Sequence, residues 1–457
     1  MVFSSLLFLF WFMPIFFILY YLAPEKLKNV VLFIGSIIFY AWGEPKYLIL
    51  IGISIVVNYA CGILINAFEG KIIARKLAFI FALLFDFGML FVFKYTNFFI
   101  GNINAVTGAG IAEVDITLPL GISFYTFQIA SYIIDLYRRK INVEKNILTL
   151  GTYLVMFPQL IAGPIVVYSQ VSDELKKRTV TFDDIEEGIA TFILGLGSKV
   201  LIANNVGALW NDLGEIGFRN ASMLLCWMGV LAFTLQIFFD FNGYSLMAIG
   251  LGKMMGFNIP QNFNYPYISL SITEFWRRWH ITLSSWFREY VYIPLGGNRK
   301  GEARTYVNLL IVWFLTGFWH GAGWNFIFWG LFFFVVLTLE KKFLKDFLGV
   351  HRTFARIYSL LLIGLSWMIF AITDIRELGT FFLRLVSFDF TNDIFYYLRN
   401  YGLICAIGCV LSTPALSGFY KKYQKKLVGV IALIAIFVLS VCYLADASFN
   451  PFLYFRF

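Results

Sequence analysis

A chain of 457 residues that is 60% hydrophobic, 20% aromatic and only 14% charged has too little polar side chain to clothe a water-soluble fold. Apolar runs of about twenty residues recur from end to end and mean hydropathy is +0.77, the pattern of a polytopic helical membrane protein. The net charge of +9 is dispersed over loops between those runs, which argues against a nucleic-acid-binding surface and reads as membrane topology.

Residues 2–22 are apolar but lack a basic leading region and a small-residue cleavage site, so they are expected as a retained first span. Basic clusters at Lys26–Lys28, Lys71–Lys76, Arg138–Lys145, Lys176–Arg178, Arg277–Arg304, Lys341–Arg356 and Lys421–Lys426 face the cytoplasm by the positive-inside rule. The loops Gly43–Pro45, Gly101–Thr117 and Asn211–Ser222 are poor in Lys and Arg. Alternation places the N-terminus outside and predicts an N-terminal set, residues 1–136, with spans near 2–22, 30–43, 47–67, 77–100 and 118–136. The alternation breaks at 148–168, which is apolar yet flanked by basic stretches and carries Pro158 and Gly163-Pro164. Broken backbone at membrane depth must be covered by protein or line a water-filled cavity, so this segment is expected to be re-entrant; a kinked ordinary span is the alternative.

A core of 186–340 follows, with spans near 186–209 and 222–250. The stretch 254–304 mixes basic residues with Trp and Tyr, as short interfacial helices do. Within it His280 lies beside Arg277 and Arg278, ahead of a Pro294-Leu295-Gly296-Gly297 turn; pure interfacial anchoring is the other reading. The apolar stretch 305–340 is too long for one span and fits two helices meeting at Gly317–Gly323. A first arm of about fourteen residues rises about 21 Å, which leaves His320 partway through the bilayer. The chain has three histidines, and an ionisable side chain at that depth is a candidate functional group. Spans near 357–373, 400–418 and 427–446 and an aromatic tail, 447–457, complete about twelve spans with the C-terminus outside. The five cysteines lie in apolar segments with no disulfide or zinc spacing, and no metal site is expected. No internal repeat is visible, which weakens a transporter reading.

Several blocks occur together in one order: Met1–Ser5, Phe39–Trp42, Leu118–Phe127, Phe157–Ile165, Gln236, Phe239–Ser245, Phe275–His280, Tyr292–Arg299 and Trp319–Ala322. Over nearly its whole length the chain resembles the membrane-bound O-acyltransferase (MBOAT) superfamily, within it the bacterial alginate O-acetyltransferase type. Two departures stand out. Asn242 and Leu246 replace the usual Ser and Asp around Phe-Asp-Phe-x-Gly-Tyr-Ser, and Val166-Val167-Tyr168 follow where a basic residue is expected. These bear on fine substrate contacts, not on the reaction class.

The resemblance implies an all-α ring of about twelve transmembrane helices, with re-entrant and interfacial helices, around a tunnel. It implies acetyl transfer from a cytoplasmic thioester, acetyl-CoA, to an extracytoplasmic acceptor for O-acetylation of a cell-envelope or secreted polysaccharide. No bound cofactor is implied. His320 is assigned as general base and His280 as donor-positioning or carbonyl-polarising. Arg277, Arg278 and Arg299 are set toward the donor phosphates, with a plain topology role as the alternative. Trp276, Trp319, Gln236 and Asp240 complete the candidate donor and substrate contacts. By resemblance, Tyr454 in the tail accepts acetyl before handing it on, the alternative being an aromatic anchor at the membrane interface. A partner of the SGNH-hydrolase type completes transfer to the sugar, and the enzyme sits in the bacterial inner membrane. Two rivals remain: D-alanyl transfer to teichoic acid by a related enzyme, and a proton-coupled transporter.

Overall fold

The computed structural model describes residues 1–161, 163–389, 391–446 and Leu453. Among the described residues the regular structure is helical and contains no strand. Seven segments are long and apolar enough to cross a membrane: Pro45–Ala67, Ile72–Thr107, Phe182–Ile216, Met223–Met254, Arg352–Ala371, Asp393–Leu411 and Leu427–Asp446. The protein is therefore a multi-pass, all-α membrane protein. Trp324–Leu339 passes without a break into a further helical turn, Glu340–Leu344, whereas two other spans predicted from sequence, Lys28–Ala41 and Ile122–Tyr137, run 14 and 16 residues. They rise only about 21–24 Å, short of a hydrocarbon layer of about 30 Å. Ile122–Tyr137 is buried on nearly every face, so its apolar content serves helix packing.

The chain forms two compact units, residues 1–192 with 247–260, and 193–246 with 261–457. The first holds α1 (Met13–Leu22), α2 (Lys28–Ala41), α3 (Leu48–Ala67), α4 (Ile72–Thr107), α5 (Ile122–Tyr137), α6 (Ile147–Val155), α7 (Phe157–Leu160), α8 (Tyr168–Lys176) and most of α9 (Phe182–Gly197). The extended Ala23 ahead of Pro24 stops α1, because a residue before proline is driven out of the helical region. Helix α4 runs well past the predicted end of its span: Gly101 does not break it, and it stops at Gly108, whose φ of +66° makes a left-handed cap. The segment 148–168 is interrupted at Met156, just ahead of Pro158, and again after Leu160. Every described residue from Thr149 to Val166 is buried, and the Tyr153 hydroxyl lies within donating distance of the carbonyls of Gln128 and Val166, at 3.1 and 2.9 Å. Gly121, at φ +77°, lies so close to the Leu160 carbonyl that any Cβ there would overlap it.

The second unit holds a π-helical turn at Ser198–Ala203, then α10 (Asn204–Ile216), most of α11 (Met223–Met254), α12 (Ile272–Arg278), α13 (Ile281–Phe287), α14 (Glu302–His320), α15 (Trp324–Leu339), α16 (Lys345–Val350), α17 (Arg352–Ala371), α18 (Ile375–Arg384), α19 (Asp393–Leu411), α20 (Ser417–Tyr423) and α21 (Leu427–Asp446). Helices α14 and α15 form the two helices expected of 305–340, but the first arm has 19 residues instead of about fourteen and ends on His320 itself. The pair packs backbone to backbone: a Cβ on Gly317 would overlap the Phe326 carbonyl, and one on Gly330 the Trp313 carbonyl. The stretch predicted as interfacial becomes α12, α13 and a second π-helical turn, Arg288–Tyr292.

Candidate functional site

Three pieces of the second unit meet around two histidines: the α12–α13 junction, the end of α14 and the middle of α11. His280 is the junction residue. Its φ of +43° and ψ of +54° are left-handed, a conformation that a non-glycine side chain holds only where its surroundings enforce it. Asn262 enforces it. Its main-chain carbonyl accepts from Ile281 N at 2.9 Å. Its Oδ1 lies 3.0 Å from His280 Nδ1 and accepts from Thr282 Oγ1 at 2.9 Å, while its amide nitrogen donates to Ser245 Oγ on α11 at 3.3 Å. With the Asn262 oxygen so oriented, Nδ1 carries the imidazole proton and Nε2 keeps the lone pair. Nε2 is buried with no hydrogen-bond partner among the described residues. Complete burial pushes the His280 pKa down to about 3, so the ring is neutral at physiological pH.

His320 is 6% exposed and sits between Trp329 and Phe370, with ring centroids at 4.9 and 5.3 Å. Trp319 touches both histidines, at 4.9 Å from His320 and 6.2 Å from His280. Phe241 of α11 closes the far side of His280 at 4.7 Å. The two rings singled out in the sequence thus pack into one aromatic cluster, joined through Trp319. The third histidine, His351, is exposed against Phe347 at the end of α16. Trp276 joins the cluster, 4.7 Å from Trp313 and 5.6 Å from Trp329. Beyond the α14–α15 turn lies a cavity of 490 Å³ lined by residues that include Gly321, Trp324, Phe326, Asp374 and Arg376. The Phe326 ring lies over Gly321 so tightly that a Cβ there would overlap it, and it packs on Phe370 at 5.0 Å. Phe326 thus links the cavity lining to Phe370, on which the His320 ring packs.

The remaining candidates divide. Arg277 and Arg299 are exposed. Arg278 is tied down, donating to Glu274 Oε1 at 2.8 Å and to the Asn264 carbonyl at 3.1 Å, so it braces its own segment. Gln236 and Asp240 lie one turn apart on α11 and face a different group from the histidines. Gly207 abuts the Gln236 amide, and Asp240 forms a 2.6 Å ion pair with Lys199, both side chains being 3% exposed. Asp240 Oδ2 also accepts the backbone N–H of Leu453 at 2.7 Å. Tyr454 itself lies outside the described residues.

Four residues that organise the site were missed from sequence: Asn262, Ser245, Lys199 and Glu340. Lys199 had a signal, a lone cation inside an apolar run, the same signal that picked out His320. Glu340 had none. It is buried at the end of α15 and accepts from Ile272 N at 2.6 Å and from Thr273 N and Oγ1 at 2.9 and 2.8 Å. It thereby caps α12 and fixes the start of the segment that ends at His280. Glu340→Gln puts an amide group against one of those donors. It is expected to cost about 1.5–3 kcal/mol, read as a fall of several degrees in the melting temperature of the purified protein. An unchanged melting temperature would remove Glu340 from this role.

Comparison with known proteins bears on this arrangement directly. Residues 139–374, which include both buried histidines, match the profile of MBOAT, the membrane-bound O-acyltransferase family. The chain is 36% identical to the probable alginate O-acetylase AlgI of Azotobacter vinelandii over 100% of both chains. It is 35% identical to the peptidoglycan O-acetyltransferase of Helicobacter pylori over 82% of this chain and 78% of that one. The teichoic acid D-alanyltransferase of Streptococcus thermophilus matches at 29% over 50% of this chain and 57% of its own. With its paired buried histidines lying inside the matched region, the chain belongs to the membrane-bound O-acyltransferase family.

Proposed function

We propose that this protein is a membrane O-acetyltransferase that moves an acetyl group from cytoplasmic acetyl-CoA to an extracytoplasmic acceptor, for O-acetylation of a cell-envelope or secreted polysaccharide. The observation that carries this reading is the convergence of His280 and His320 on Trp319 within a buried cluster of aromatic rings. A large charged thioester cannot cross a bilayer, whereas an acetyl group need move only a short way. The full-length likeness to alginate O-acetylases supports acetyl as the group and polysaccharide as the destination.

In this reading the acceptor hydroxyl attacks the thioester carbonyl while His320 takes its proton. The tetrahedral intermediate collapses, the C–S bond breaks, and the proton returns to the departing thiolate. The neutral Nε2 of His280 can only accept, so it suits holding a donor amide N–H and does not suit polarising the carbonyl. Exposed Arg277 and Arg299 suit the donor phosphates at the cytoplasmic mouth. The acceptor side is the cavity over Gly321, served by an SGNH-type partner protein. The family's ring of about twelve helices around a tunnel, placement in the inner membrane and both termini outside belong to the same proposal.

The test is transfer of radiolabelled acetyl from acetyl-CoA in membranes containing the protein and its partner; absence of label on any protein or glycan would refute the reading. A carrier role for Tyr454 fits the anchoring of neighbouring Leu453 at Asp240. Deleting residues 453–457 at matched membrane levels is then expected to abolish product acetylation, and undiminished product would remove the carrier.

A further inference from the structure

We infer that the first unit carries a binding site for a small monovalent cation, sodium-sized, centred on Asp86. Asp86 is fully buried on α4, inside a candidate membrane span, and the only hydrogen bond its carboxylate receives among the described residues comes from Asn58 Nδ2 on α3, at 2.7 Å to Oδ1. The same amide nitrogen donates to the Ser54 carbonyl at 3.0 Å. Both Asn58 protons are thus in use, which leaves its Oδ1 as a pure acceptor. That oxygen, Asp86 Oδ2, Ser54 Oγ and the Tyr125 hydroxyl of α5 are all buried with no hydrogen-bond partner among the described residues. Tyr125 lies within electrostatic range of the Asp86 carboxyl, and the Tyr40 hydroxyl, also buried and unpartnered, lies within range of Tyr125. Asp86 forms no ion pair among the described residues.

A carboxylate walled in by apolar helices must lose its charge or gain a counter-charge, and several unpartnered oxygens around one carboxylate are unusual in a native interior. Around the Asp86 carboxylate stand the amide carbonyl of its partner Asn58 and the interacting Tyr125 hydroxyl, with the Ser54 hydroxyl one helical turn from Asn58 on α3. Such a hard, oxygen-only set with a single negative charge suits an alkali cation. Calcium takes six to eight oxygens and usually several carboxylates, and no three His, Cys, Asp or Glu residues converge among those described. A proton on Asp86 would remove the charge equally well, but it predicts indifference to the salt cation. The site is remote in sequence from the histidine cluster and stands whatever reaction that cluster performs.

The experiment is thermal unfolding of the purified full-length protein at constant ionic strength in sodium, potassium or N-methylglucamine chloride. Sodium is expected to raise the melting temperature by about 3 °C or more over N-methylglucamine, because a ligand that binds only the folded state stabilises it. Asp86→Asn is expected to abolish the difference. Equal melting temperatures in all three salts, or a sodium-dependent rise that Asp86→Asn retains, would overturn the site. Should that variant fail to fold, Ser54→Ala and Tyr125→Phe each remove one oxygen. Each is expected to raise the sodium concentration giving half the shift several-fold, and an unchanged midpoint in both overturns the assignment.

Discussion

Replacing His320 with alanine is expected to lower acetyl transfer from acetyl-CoA by about 10²–10⁴, the usual worth of a positioned general base, at unchanged membrane levels. The effect should fall on turnover and leave the donor KM nearly untouched, since His320 is assigned to proton transfer and not to donor binding. Alanine also opens space between Trp329 and Phe370, which pack on the imidazole at 4.9 and 5.3 Å. His320→Gln keeps most of that volume without a titratable nitrogen, so it separates lost chemistry from lost packing. Both variants should be equally inactive if the proton matters. Transfer by the glutamine form at the wild-type rate would remove His320 from the mechanism. His280 variants make a useful contrast. With Nδ1 held by Asn262 and the ring kept neutral by burial, His280→Ala should act first on donor KM, and Asn262→Ala should reproduce that change by releasing the same ring.

What was legible in the sequence was whatever membrane burial makes costly. His320 stood out because a polar ring in an apolar run needs a reason, and the break at Pro158 stood out because it forfeits backbone hydrogen bonds. His280 was found beside its arginines, yet its meaning came from Asn262, eighteen residues upstream, in a loop with no periodicity to read. Only the folded chain shows that this amide orients the imidazole through one oxygen and braces α11 through Ser245 with the other end. The arginines mark the limit of reading by neighbourhood. Arg277 and Arg278 are adjacent in sequence, but helical geometry points one to solvent and the other onto Glu274, four residues back. Span counting from hydropathy has a related limit. Hydropathy cannot tell a helix bathed in lipid from one buried among other helices, and α5 is of the second kind.

Lys199 and Asp240, a fully buried ion pair among the described residues, should show a large stability effect. The 2.6 Å contact lies between side chains each 3% exposed, and Asn204 Oδ1 accepts a second bond from the ammonium at 2.9 Å. The pair sits where the π-helical turn after α9 meets α11, at an approach so close that a Cβ on Gly243 would fall 2.7 Å from the Gly195 carbonyl. Neither charge can move to water without separating those helices. Lys199→Met or Asp240→Leu alone therefore strands one buried ion, at a cost of about 3–5 kcal/mol, or a fall of about 3–5 °C in melting temperature for a chain of this length. The double variant strands none. Because a buried pair offsets desolvation with attraction and often gains little net, the double variant should be far more stable than either single one. Equal loss in the double and the sum of the singles would mean that the two charges do not depend on each other. A rescued double variant that still fails to transfer acetyl would separate the second task of Asp240, holding the Leu453 backbone, from its part in the ion pair, because leucine restores neutrality but offers that N–H no acceptor.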